Sequence, residues 1–179
     1  MEPKPRSVSM NALYYGILTG AASIVLALIL YIAGLYMNRS LGYLSLLLLI
    51  GGMAWGTLEY RKNYLGGFIS YGKSFTSCFM IGLFAGILGA IYMFIFARFI
   101  YPGFAQEILD KAQQQMLEKN PNMSDSQIEI AMKYTRMFTS PVMMAVWGLL
   151  ANVFFSVVLG LLVSIFIRKE DKSMSQNVM

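Results

Sequence analysis

The chain has 179 residues, a net charge of +5 and 57% apolar residues, close to two-thirds once its 16 glycines are added. Soluble domains hold roughly 45–50% on that count and about 25% charged residues, whereas Asp, Glu, Lys and Arg reach only 13% here. So few charges cannot cover that much apolar surface in water, and a chain this hydrophobic is not disordered, so a protein with several membrane spans is expected.

Four long apolar segments carry the excess: residues 11–36, 41–60, 74–100 and 142–167. About 20 helical residues cross a hydrocarbon layer of about 30 Å, and none of the four has a charge in its central portion. A membrane barrel would alternate apolar and polar residues over about ten positions, which these runs do not. The expected fold is therefore all-α, an integral membrane bundle of four transmembrane helices in a single domain. Lys4 and Arg6 precede the first segment, but its apolar stretch far exceeds the h-region of a cleavable signal, so it reads as a retained anchor.

The connection at residues 37–40 is short enough to make the first two spans an antiparallel hairpin. The second and third are joined by an aromatic and glycine-rich segment holding Arg61, Lys62, Gly66, Gly67, Tyr71, Gly72 and Lys73. Rings favour the headgroup region and the bases suit lipid phosphates, so this segment is expected to be an interfacial loop, as linker or as headgroup or docking site.

Nearly all the polar sequence lies in residues 102–140. Phe104, Ile108, Ala112 and Met116 recur every four residues, Asn120-Pro121-Asn122 interrupts, and Ser124 stands three residues before Gln127 in a capping-box pattern. Ile130, Tyr134, Met137 and Phe138 then form a second apolar stripe. An amphipathic helical hairpin outside the membrane is expected there, with Pro141 opening the last span at a position where a missing N–H costs nothing.

Four spans put residues 1–10, 168–179 and the second connection on one side. That side carries eight bases against four acids; the other carries six against five. Pairs hard against span ends, Arg61-Lys62 and Arg168-Lys169, dominate such a bias, which predicts cytoplasmic termini and an extracytoplasmic hairpin. The net charge thus marks topology; with its bases and acids nearly balanced, the hairpin offers no nucleic-acid surface.

Chemistry has little to start from. There is no histidine, which excludes imidazole metal sites and His-based catalysis. The single cysteine, Cys78, can form no intrachain disulfide and sits in an apolar run as a small hydrophobe. Gly67 to Ser74 satisfies the P-loop expression, but a membrane helix rather than a strand precedes it, and bulky Phe68, Ile69 and Tyr71 stand where backbone must wrap phosphate. No nucleotide, metal or other cofactor is expected, and no enzymatic activity. Small residues recur at spacing four in the spans: Gly16 with Gly20, Gly52 with Gly56, Gly82 with Gly86, and Ser156, Gly160 and Ser164 with Asn152 one turn upstream. Such stripes let helices approach closely, within one chain or in an oligomer; spacing leaves both open.

Three further features carry a resemblance. They are Asn11-Ala12-Leu13-Tyr14-Tyr15-Gly16 opening the first span, the run Leu65 to Gly72, and the polar stretch from Met123 to Met132 followed by Ser140-Pro141. In their order and spacing the chain resembles a bacterial inner-membrane family known as domain of unknown function 4199 (DUF4199), over residues 8–169. The resemblance implies four spans with a helical insertion before the last, in the bacterial inner membrane, and it implies no activity. The expected role is a non-enzymatic accessory or scaffold subunit whose partners are membrane lipids and another membrane protein or a second copy. The alternative is a small-solute transporter or channel formed by an oligomer, lined by Asn152, Ser156, Ser164, Thr76 and Ser77.

Overall fold

A computed structural model describes residues 7–169, among which there are six α-helices. They are α1 (Val8–Ile32), α2 (Arg39–Tyr64), α3 (Tyr71–Ile95), α4 (Phe104–Lys119), α5 (Asp125–Phe138) and α6 (Pro141–Ile167); a π-helical segment, Phe96–Ile100, prolongs α3. Four stretches are long and apolar enough to cross a membrane: α1, Ser40–Tyr64 of α2, Tyr71–Ile100, and α6.

Helix ends follow backbone chemistry more closely than hydropathy. The Ser7 side chain accepts from the Met10 amide and caps α1. The first span was expected to reach residue 36 but its helix stops at Ile32. Leu35 N–H bonds to the Leu30 carbonyl and Gly34 N–H to that of Tyr31, with Gly34 at φ +69°. That is a Schellman closure, which needs a left-handed residue and finds it in glycine; apolar Leu35 and Tyr36 conceal it from a hydropathy reading. Asn38 then caps α2 by accepting from the Ser40 amide, so the connection is residues 33–38 rather than 37–40.

A second correction concerns the connection between α2 and α3. It was expected to span residues 61–73, but α2 runs to Tyr64 and α3 begins at Tyr71. Arg61 and Lys62 occupy the last turn of α2, where positive charge complements the helix dipole, and Tyr71, Gly72 and Lys73 form the first turn of α3. The turn is made by Gly66 and Gly67, at φ +61° and +90°, with Gly67 N–H bonded to the Arg61 carbonyl. At the start of α6, Ser140 Oγ accepts from the Met143 amide and Pro141 is the first helical residue.

The described residues form two compact units, one of residues 7–88 and 151–169, the other of residues 89–150. In the first, α1 runs antiparallel to α2, as Asn11 with Gly56 and Thr19 with Gly52 show; α2 runs antiparallel to α3, as Thr57 with Ser77 and Met53 with Gly82 show; and α3 runs antiparallel to α6, as Gly82 with Ser156 and Gly86 with Asn152 show. Its core is Ala12, Leu49, Met53, Cys78, Ile81 and Ala85. Solvent exposure is inverted relative to a water-soluble protein. Ser77, Ser156 and Ser164 are fully buried, while Ile32 is 83% and Phe166 85% exposed. That distribution suits a surface solvated by lipid tails, which take apolar side chains at no cost and leave polar ones to be satisfied inside.

In the second unit α4 and α5 lie in contact, and Tyr101 and Phe104 each pack edge to face with Phe96, the Phe96 and Phe104 rings 5.4 Å apart. Leu109 is buried, and Tyr101 OH donates to Glu107, which also pairs with Lys111 at 3.3 Å. The capping box of α5 is complete: Ser124 Oγ accepts from the Gln127 amide and Gln127 Oε1 from the Ser124 amide.

Candidate functional site

Two regions of the first unit and one helix of the second gather the side chains that sequence singled out. The first region is the set of small-residue faces. A Cβ on Gly16 would meet Phe84 and the Ile81 carbonyl at 2.6 and 2.9 Å, and one on Gly20 would meet Leu88 and Ala85 at 3.0 and 3.3 Å. A Cβ on Gly56 would meet Tyr15 and Ile81 at 2.7 Å. One on Gly52 would collide with the Thr19 side chain, one on Gly82 with Ser156, and one on Gly86 with Asn152. Gly160 has ordinary contacts with Phe75 and Cys78, at 3.5 and 3.6 Å. In all seven cases the surface filling the glycine notch belongs to another helix of the same chain. Backbone contact this close supplies the dispersion attraction that lipid-like side chains cannot provide between spans.

Hydroxyls and amides line these faces, and nearly all are bonded. Asn11 Nδ2 donates to the Gly56 carbonyl at 3.0 Å, Thr57 Oγ1 to Ser77 Oγ at 2.9 Å, and Ser164 Oγ to the Gly160 carbonyl at 2.6 Å. Ser156 Oγ donates to Asn152 Oδ1, and Thr19 Oγ1 to the Tyr15 carbonyl. Of the candidate lumen residues, Asn152, Ser156, Ser164 and Ser77 therefore sit in closed helix contacts. Thr76 is exposed and bonds back to the Gly72 carbonyl of its own helix. Asn11, Thr19 and Thr57 lie outside the small-residue stripes that spacing singles out; a polar residue inside a largely apolar span is the signal that marks them.

The second region closes the end of the bundle where α2 meets α3. Arg61 Nη1 donates to the Ile167 carbonyl at 2.7 Å, satisfying one of the orphan acceptors at the α6 terminus. Beyond it, Ile69 and Lys169 exchange two backbone hydrogen bonds, at 2.8 and 3.0 Å, so the α2–α3 connection is laced to the chain leaving α6. Lys169 Nζ stands 5.5 Å from the centre of the Phe68 ring, and Tyr71 OH donates to the Leu161 carbonyl. Tyr60, Ile69 and Ile167 form a small core beneath. The structure thus joins Arg61 and Tyr71 to α6, while Lys62, Gly66, Gly72 and Lys73 are exposed and Gly67 is half-buried in the turn. Arg61 Nε and Ser74 Oγ are the buried side-chain polar atoms that make no hydrogen bond among the described residues. The segment 67–74 joins helix to helix, whereas a P-loop cradles phosphate between a strand and a helix.

The third region is α5. Ile128, Ala131, Met132 and Thr135 are half-buried, whereas Ile130, Tyr134, Met137 and Phe138 are exposed. The apolar stripe recognised in the sequence is thus the outer face of this helix, and a less apolar face turns inward. On α4 the stripe Phe104, Ile108, Ala112 and Met116 is half-buried throughout.

The family model described as "Protein of unknown function (DUF4199)" matches residues 14–169. No curated protein and no solved structure matches the chain.

Proposed function

Since the chain belongs to the DUF4199 family of unknown function, we propose from its own architecture that it is a non-enzymatic accessory or scaffold subunit of a bacterial inner-membrane assembly. The observation that supports this role is the saturation of the bundle interior. Glycine notches are filled, and the buried hydroxyls and amides other than Ser74 Oγ are bonded, by other residues of the same chain. Among the described residues, no Asp, Glu, Lys or Arg is buried. Ion-coupled carriers use ionisable groups near the midplane, and a catalytic centre needs groups whose charge or nucleophilicity is tuned. A scaffold needs neither. Its working surfaces would be the polar faces of α4 and α5 and those parts of the span exterior that lipid leaves free.

The proposed topology places both termini and the α2–α3 connection in the cytoplasm, on the strength of Arg61, Lys62, Arg168 and Lys169 at the span ends. Labelling with a membrane-impermeant thiol reagent in a Cys78→Ala background tests it. Gln115→Cys should react in intact spheroplasts and Lys62→Cys only after lysis; the opposite pattern overturns the orientation.

Purification at native expression level, with mass spectrometry of the isolated particle, tests the accessory role. A second membrane protein in fixed stoichiometry is expected, and a particle of this chain alone overturns it. Solute flux into liposomes carrying the purified protein, lowered by Asn152→Leu, would replace the scaffold with a transporter.

A further inference from the structure

The exposed stripe of α5 has a chemistry that neither the bundle nor the hairpin uses. Ile130, Tyr134, Met137 and Phe138 are 59, 60, 55 and 43% exposed. Their spacing of four, three and one places them on a single helix face, the width of the apolar side of an amphipathic helix. The opposite face, with Ile128, Ala131, Met132 and Thr135, is the half-buried one, and α4 lies in contact with α5. Exposed Asp125, Glu129, Lys133 and Arg136 run along one flank between the two faces, the acids in the N-terminal half and the bases in the C-terminal half.

Two observations identify what covers the stripe. The first is the tether. Only Thr139 and Ser140 separate Phe138 from Pro141, the first residue of a membrane span, and three virtual bonds reach about 10 Å. The second is continuity. The Phe138 ring packs 5.9 Å from the ring of Trp147, in the second turn of α6, and both are exposed. Val142, Val146 and Leu150 continue that exposed apolar surface along the span. A membrane span's outer face is covered by lipid, so the surface joined to it through Phe138 and Trp147 is covered by the same lipid.

We propose that α5 lies in the membrane interface, with Ile130, Tyr134, Met137 and Phe138 embedded at the boundary of headgroups and acyl chains. α4 covers its other side. An interfacial helix buries its apolar face about 5–10 Å into that boundary and keeps its charges at headgroup level. Tyr134 and Trp147 then sit where amphipathic rings are favoured, and Lys133 and Arg136, next to the tether, reach lipid phosphates with their long stems. Lipid thus takes this face of the hairpin, independently of the accessory role, and a protein partner is left the polar surface.

The test places the purified protein, one copy per nanodisc, in phosphatidylethanolamine and phosphatidylglycerol. A nitroxide is attached to a single cysteine at Ile130→Cys, Tyr134→Cys, Glu129→Cys or Arg136→Cys in a Cys78→Ala background. The ratio of oxygen to nickel-complex collisions should be several-fold higher at 130 and 134 than at 129 and 136. Equal ratios, or nickel access at 134 matching that at 136, overturn the proposal. Low collision rates with both reagents at 130 and 134 overturn it in favour of a stripe covered by protein.

Wild-type protein offers a second measurement that no folding defect can spoil. Diazirine groups on lipid acyl chains near the headgroup should cross-link the peptide holding Ile130 and Tyr134 as readily as the start of α6. Cross-links confined to the spans would refute the interfacial placement.

Discussion

Asn11 and Gly56, 45 residues apart, are joined across the α1–α2 interface by a hydrogen bond from Asn11 Nδ2 to the Gly56 carbonyl, with both residues buried. Gly56 lets α1 approach closely enough for the bond, since a Cβ there would meet Tyr15 at 2.7 Å. Asn11→Leu keeps the volume and removes the donor. Interhelical hydrogen bonds in membranes contribute about 0.6 kcal/mol on average and about 1.7 at most. Asn11→Leu should therefore lower the unfolding free energy in detergent by an amount in that range; unchanged denaturant midpoints would deny the bond any net value.

Neighbouring glycines on α2 should behave oppositely. Gly52 faces Thr19 with no room for a methyl group, whereas nothing lies within 4 Å of a Cβ on Gly51. Gly52→Ala forces α1 and α2 apart and should cost about 1–3 kcal/mol, the usual range for overpacking. Gly51→Ala should be neutral or stabilise by up to about 1 kcal/mol through lower backbone entropy in the unfolded chain. Thermal denaturation of the two variants side by side checks the contrast, and equal effects would contradict the packing.

Arg61 ties the end of α2 to the end of α6 through the Ile167 carbonyl. Hydrogen bonds from charged donors are worth about 1.5–3 kcal/mol, and the low end applies because the side chain is partly exposed. Arg61→Met should loosen the backbone pairing of Ile69 with Lys169. Amide exchange at those two residues should rise about tenfold, the equivalent of about 1.4 kcal/mol. Exchange within the middle of α1 should stay unchanged, and no change at Ile69 would separate the two features.

The capping box of α5 predicts a local effect. Ser124→Ala removes the acceptor for the Gln127 amide, and losing such a cap costs about 0.5–2 kcal/mol of helix stability. Amide exchange in residues 125–128 should accelerate while the spans keep their protection. A global loss of stability would mean that the bundle depends on α5.

Composition and hydropathy contained the all-helical class and the four spans, because crossing a lipid layer demands long uncharged runs that leave no other interpretation. The ends of those runs were less legible. Leu35 and Tyr36 look like membrane residues, yet the Schellman closure at Gly34 has already turned the chain; Arg61 and Lys62 look like a loop, yet backbone bonding and the helix dipole keep them in α2. The α5 stripe was visible as a period of hydrophobic residues, but not the direction it faces.

Spacing of small residues, in the same way, is local information. It shows that Gly52, Gly82 and Gly86 can accept a close neighbour and is silent about which. Only the three-dimensional arrangement pairs them with Thr19, Ser156 and Asn152 of the same chain, and joins Asn11 to Gly56 and Arg61 to Ile167. The division has a physical cause. Whether a segment enters the membrane depends on a sum of transfer free energies over its own residues, which the order of residues already contains. Which helix fills a glycine notch depends on register and on the direction of each face, and these arise only when all the helices pack together.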